Sequence, residues 1–247
     1  MEARHGLRPV QLGSPKQQFV FGVLAVEANR YVPLARLVDL IWCGTPPRSA
    51  VTVVRAHISR LRRALAAADV PSEVASLVRT HRGYILETDL LKVDCHLFRH
   101  LVERARRSGD DRAVEFYKQA LALWRGDLLS GLSADGALSS YGLGLQEMRL
   151  MTFEDLVEAQ LRLGGHRLVV DELREFITDH PDRQRAVFLL MLAYYRDRNV
   201  DRALEVFRTH RKRLAEDSGL TPSRELQDLE TAILRSDPAL DLVGAMP

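Results

Sequence analysis

Through residues 48–65 (RSAVTVVRAHISRLRRAL), Val51, Val54, Ile58, Leu61 and Leu65 recur at three- and four-residue steps and share one face of a helix. Thr52, Ala56, Ser59, Arg60 and Arg63 fall opposite, with Arg55 and Arg62 on the shoulder. Small side chains let a backbone approach base edges, and bordering arginines reach guanine O6/N7 or phosphate, so the pattern suits a helix entering a DNA major groove. An ordinary amphipathic helix with a solvated basic face has the same pattern. The neighbouring elements must separate the two.

Upstream, residues 7–12 (LRPVQL) alternate and predict one short strand, broken by Gly13-Ser14-Pro15. Ser14 suits an N-cap and Pro15 a first helical position. The helix that follows, over 17–28, turns Phe19, Val23, Leu24 and Val26 inward. Tyr31-Val32-Pro33 is a short extended link. Residues 34–42 then predict a second helix with Leu34, Leu37, Val38 and Ile41 on its core face, closed by the non-helical Gly44-Thr45-Pro46-Pro47. Past the basic helix, residues 66–76 are loop-like. Residues 77–80 and 84–87 predict two strands around His81-Arg82-Gly83, a hairpin with glycine at its turn. Two helices, a basic helix and a hairpin tipped with Arg79, His81 and Arg82 compose a winged helix-turn-helix. Its third helix would take the major groove, and its wing the backbone or the adjacent minor groove.

Charge supports this division. Residues 1–90 carry 12 Lys/Arg against 7 Asp/Glu, a net +5, which with the whole-chain +2 leaves −3 for the remainder. A basic first third is the part expected to meet a polyanion. Cys43 and Cys95 lie far apart and are expected as reduced thiols. The first residues lack the apolar run of a secretory signal, and the most apolar stretch, 186–195, is about half a membrane span. A cytoplasmic, nucleoid-associated protein with no membrane partner is the expectation.

From residue 91 onward the period is helical. Helices are predicted over 94–107, 112–124, 145–163, 168–179, 183–196, 200–218 and 223–234, with a Gly/Ser/Asp-rich link over 126–136. The pair over 167–198 restarts at Asp201, a 34-residue period in which alanine and aromatic positions recur (Ala193, Tyr194; Ala203, Phe207). That period suits tetratricopeptide-like helix pairs, which bury their faces only by stacking; a plain helical bundle is the other reading. The fold class expected is mainly α. A winged-helix domain over 1–90 (α with a small β hairpin) precedes an all-α tetratricopeptide-like domain over 91–236 and a loose tail over 237–247.

The spacing AxRxVxxxxLVDxxW (Ala28, Arg30, Val32, Leu37, Val38, Asp39, Trp42), then Pro46-Pro47, AHISRLRRAL and RGYIL, resembles the Streptomyces antibiotic regulatory protein (SARP) family of transcriptional activators. ALALWRG at 120–126, LMLAYYR at 190–196 and LTPSREL at 220–226 resemble that family's bacterial transcriptional activator domain. Nothing resembles the phosphopeptide-binding or ATPase extensions of larger relatives. The resemblance implies a small antiparallel sheet ahead of the first helix, for which residues 7–12 are the only material. It also implies binding to direct repeats near the −35 region of promoters, with two protomers side by side on DNA. RNA polymerase holoenzyme, including sigma, would be recruited at an antibiotic or other secondary-metabolite cluster.

Within the interface, Thr52, Ala56, Ser59, Arg60 and Arg63 would face bases. Arg48, Ser49, Arg55, Arg62, Arg79, His81 and Arg82 would hold phosphates, which set register and most of the affinity. Three further residues divide between roles. Trp42 offers an indole N–H to phosphate but sits where packing is favoured. His57, beside Leu61, packs on the second helix or meets phosphate; Lys16 meets phosphate or water. Chemistry is not indicated elsewhere. Cys95, His96 and His100 make an incomplete metal clip, and Gly142-Leu143-Gly144 lies in a linker and is too short for a phosphate loop. Glu154/Asp155 and Asp171/Glu172 read as solvated charge pairs. No catalytic site, cofactor or metal is expected. The competing classes are a tetratricopeptide-type interaction module and a DNA-binding repressor.

Overall fold

Pro15 starts the first long helix, and the chain that precedes it forms less strand than its alternation predicts. In the computed structural model, which describes residues 1–42, 44–126 and 139–241, β1 (Arg4–His5) pairs antiparallel with β2 (Arg8–Pro9). Gly6, at φ +57°, lies in the turn between them beside Leu7, which is 98% exposed. Val10 and Leu12 drop into the core instead of continuing the strand. The leading sheet is thus two residues a side, smaller than the predicted 7–12 strand.

Helix α1 (Pro15–Val26) has Pro15 in its first turn, but Ser14 makes no side-chain cap. Phe19, Val20, Phe21, Val23 and Leu24 are all buried, so α1 is the apolar centre rather than a one-sided helix. In the turn beyond its Glu27 cap, Asn29 takes the left-handed conformation at φ +63°, which asparagine tolerates better than most residues. Its side chain bridges to β5, donating from Nδ2 to the Thr88 carbonyl (2.8 Å) and accepting from the Thr88 N–H (3.0 Å). The link at Tyr31–Pro33 is itself a strand, β3 (Val32–Pro33), followed directly by α2 (Leu34–Trp42).

Helix α3 (Ala50–Ala67) packs on α1 and α2 through Val54, Ile58, Leu61 and Leu65. Fully burying each such side chain contributes roughly 1.5–3 kcal/mol before entropy is charged against it. Val51, predicted on that face, is 40% exposed, because Ala50 fills the core position at the helix's first turn. Strands β4 (Ala75–Arg79) and β5 (Gly83–Thr88) form the hairpin, and β3 completes a sheet in the order β3-β5-β4. Gly83 is not the residue that makes the turn. It lies in β5 opposite Pro33, where a Cβ would come within 2.1 Å of the Val32 carbonyl oxygen. The glycine is required for close strand approach.

The remaining elements are α4 (Asp94–Arg106), α5 (Asp110–Ala122), α6 (Ser139–Arg162), α7 (Val170–Asp179), α8 (Gln184–Arg196), α9 (Val200–Ser218) and α10 (Arg224–Leu234). Contacts group residues 1–101 with 120–149 as one unit and 102–119 with 150–247 as the other. In the second unit α8 touches α7, α9 and α10, and Ala193 and Ala203 are fully buried where helices meet. Tyr195 rather than Tyr194 is the buried aromatic of α8. Gly219, at φ +68°, ends α9 in the left-handed conformation that favours glycine. Gly142-Leu143-Gly144 lies inside α6, not in a linker, in the turn leading to the buried Leu145. The segment read as a loose tail forms a 3₁₀ turn over Pro238–Asp241, where the Leu240 carbonyl accepts from Arg196 Nε at 2.8 Å. Cys43, most of the 126–136 link and the last six residues lie outside the described residues.

Candidate nucleic-acid interface

Helix α2 ends at Trp42, and Thr45 turns back on it, its N–H and hydroxyl both donating to the Trp42 carbonyl (3.0 and 3.2 Å). Gly44, at φ +88°, permits that reversal. The Ala50 N–H donates to the Pro47 carbonyl (2.9 Å) and launches α3, leaving Arg48 and Ser49 exposed ahead of its first turn. No side-chain oxygen caps α3 and its first turn has no acid, so nothing there repels an anion. Along its outward side Thr52, Arg55, Ser59, Arg60 and Arg63 are exposed, and Ala56 is half-buried between them.

The wing adds a second exposed basic group. The Thr80 N–H donates to the Gly83 carbonyl (3.0 Å) and closes a tight tip that carries Arg79, His81 and Arg82 in solvent. Among the described residues, none of Arg48, Arg55, Arg60, Arg63, Arg79 and Arg82 has a carboxylate partner. Six unneutralised guanidiniums on one helix-and-wing assembly suit a polyanion.

Arg62 is spent differently. Its Nε and Nη2 both donate to the Leu77 carbonyl, at 2.9 and 2.6 Å, tying α3 to β4. A guanidinium held in that way supports the wing from beneath, a role that periodicity alone does not distinguish from phosphate contact. His57 is 6% exposed with neither ring nitrogen partnered, so packing takes it. Burial pushes its pKa down from the ordinary range, with the charges of Arg60 and Lys16 acting in the same direction. Trp42 packs against the core with Lys16 Nζ over its ring at 5.1 Å. Asn29 and Gly83 position the wing strands, and sequence reasoning passed over both. The available signals were an Asn at a helix end and a glycine flanked by strand residues.

Elsewhere, Cys95 is half-buried and burial pushes its thiol pKa up; His96 is half-buried and His100 exposed. Among the described residues no group of three or more His, Cys, Asp or Glu is placed to hold a metal ion, and no helix is long and apolar enough to cross a membrane. Glu154 is not a solvated charge. It is 1% exposed on its side chain and takes two hydrogen bonds from Arg183, at 3.0 and 2.7 Å.

Comparison with known proteins gives this geometry its context. The family profile "Bacterial transcriptional activator domain" matches residues 93–234. Regulatory protein DnrI of Streptomyces peucetius is 34% identical over 250 residues, spanning 98% of this chain and 92% of that protein. Transcriptional regulator RedD of Streptomyces coelicolor is 34% identical over 239 residues, spanning 94% and 67%. The solved structure of Mycobacterium tuberculosis EmbR, in complex with a low affinity phosphopeptide, superposes with a TM-score of 0.87 at 28% identity, over 94% of this chain and 62% of that one. An amino-terminal winged helix followed by a helical activator domain therefore makes this chain a member of the SARP family of transcriptional activators.

Proposed function

We propose that the chain binds promoter DNA as direct repeats near the −35 region and recruits RNA polymerase holoenzyme, through contact with sigma, to a secondary-metabolite gene cluster. The observation that carries the reading is the outward side of α3, where Arg55, Arg60 and Arg63 stand unpaired around Thr52, Ala56 and Ser59 beside an equally unpaired wing. Thr52, Ala56, Ser59, Arg60 and Arg63 face base edges. Arg48, Ser49, Arg55, Arg79, His81 and Arg82 hold the phosphates that fix register. Arg62 acts through the wing it supports. Two protomers bound head to tail on repeats about one turn apart, roughly 10–11 bp, lie on the same face of the duplex. The protein works in the cytoplasm, on the nucleoid.

Footprinting on the DNA flanking the protein's own gene tests this directly. The expected result is protection of two repeats upstream of a promoter, with log K falling steeply against log salt, close to one unit per phosphate neutralised. A flat salt plot, or protection without sequence preference, would remove the reading. In vitro transcription with purified holoenzyme then separates activation from repression.

A further inference from the structure

Among the described residues of α3, Val51 is the only large apolar side chain left exposed. The core closes over Ala50 and Val54 and does not include it. Local preference does not call for a valine there. Exposed first-turn positions favour acids, which answer the free backbone N–H groups, and a β-branched side chain lowers helix propensity. A residue that breaks a local rule without a gain in the fold is expected at a functional position.

The surroundings of Val51 indicate what it meets. Arg48 and Ser49 are exposed ahead of it, and Thr52 is exposed beside it. Arg55, one helical turn on, is exposed and has no carboxylate partner. Side chains on a helix lean toward its N-terminus, so the valine methyls stand over the entry to α3. That is the end of a recognition helix whose residues contact base edges. Because χ1 of valine is stiff in a helix, little freedom is lost on contact.

The major groove presents hydrogen-bonding atoms at every base pair and one apolar group, the thymine C5-methyl. A valine pressed on guanine O6 or cytosine N4 would strip water from it and return no hydrogen bond. Against the methyl, it removes apolar surface on both sides from water. Resting on the promoter-binding reading above, we propose that Val51 is a specificity-determining residue that reads one thymine in each repeat by its C5-methyl group, with Arg55 holding the backbone alongside.

The test measures the affinity of the full chain for the footprinted repeats, at fixed salt, with deoxyuridine replacing one thymine at a time. Deoxyuridine pairs as thymine does and lacks only the methyl. One position per repeat should weaken binding about 4-fold, the size of one methyl group withdrawn from contact. Val51→Ala should bind the unmodified repeats about 4- to 10-fold more weakly and lose nothing further when deoxyuridine occupies that position. Thr52→Ser, which removes the neighbouring methyl and keeps the hydroxyl, should retain the deoxyuridine loss there. Affinity for random-sequence DNA and the urea midpoint should be unchanged in Val51→Ala.

The same deoxyuridine profile in Val51→Ala as in the parent chain, or an unchanged affinity, would overturn the proposal and leave promoter binding standing. A lowered midpoint with equal losses on specific and random DNA would assign Val51 to the fold instead. A parent chain without sequence preference would remove both readings.

Discussion

Arg60 and Arg63 of α3 stand in solvent without a carboxylate partner, whereas Arg162, Arg183 and Arg185 of the helical unit are each bound to acids. Arg162 takes Asp110 (2.8 Å) and Glu158 (2.7 Å), and Arg185 takes Asp155 (2.7 Å) and Glu158. The two groups share a side chain and little else. Guanidiniums that meet acids of their own chain join helices and are unavailable to a ligand. Guanidiniums left unneutralised raise the local potential for a polyanion. The composition of the chain, nearly neutral overall, conceals this division.

The largest effect should come from breaking the buried end of the paired set. Arg183→Met leaves the Glu154 carboxylate buried without its main partner and should cost about 3–5 kcal/mol in the helical unit. Urea unfolding followed by circular dichroism measures it, and an unchanged midpoint would mean that Arg185, 3.8 Å from Glu154, already suffices. Next comes Arg62, which belongs to the winged helix yet behaves as a paired arginine. Arg62→Met should lose about 1.5–3 kcal/mol of stability with the two bonds to the Leu77 carbonyl. Its specific DNA affinity, measured where the protein is folded, should change little. A large loss of affinity with no loss of stability would return Arg62 to the phosphate set.

The unpaired set should show the reverse. Arg60→Ala and Arg63→Ala are each expected to weaken specific binding by about 1–3 kcal/mol and to relax preference at one base position. Stability should hold within about 0.5 kcal/mol, as for exposed residues without partners. Equal losses on specific and random DNA would make either arginine a phosphate contact instead.

Periodicity carried most of this fold where helices such as α2, α3 and α9 bury one stripe, and apolar runs marked α1 and α8, which are buried on more than one side. The 34–42 helix and the 200–218 helix have the predicted bounds, and the wing strands differ from expectation by a residue or two. What periodicity missed depends on contacts distant in the chain. Val32–Pro33 has too few residues to show alternation and becomes a strand only because β5 pairs with it. Leu7 and Val10 are equally apolar, yet one is exposed in a turn and the other buried, a choice set by the β1–β2 hairpin. At the interface, the exposed face of α3 was legible from spacing alone. The fate of Arg62 was not, since it depends on where the Leu77 carbonyl lies.

The smallest effect compares histidines rather than arginines. His57 in α3 and His210 in α9 are both 6% exposed, and burial lowers the pKa of each. Around His57 the charges of Lys16 and Arg60 add to burial; around His210 Arg213 does so while Asp182 opposes. A histidine held neutral in the folded state binds fewer protons there than when unfolded, so stability rises with pH through the titration range. Its contribution is complete above the unfolded value, near 6.5, and is lost as pH falls from there through the lower folded value. His57→Phe should therefore flatten the dependence of stability on pH between about 5 and 7 in the winged helix. His210→Phe should flatten it less, because Asp182 already offsets part of the shift. Chemical denaturation repeated across that range distinguishes the two. If His57→Phe left the slope unchanged, the buried ring would be gaining a partner on protonation, and Lys16 and Arg60 would not govern it.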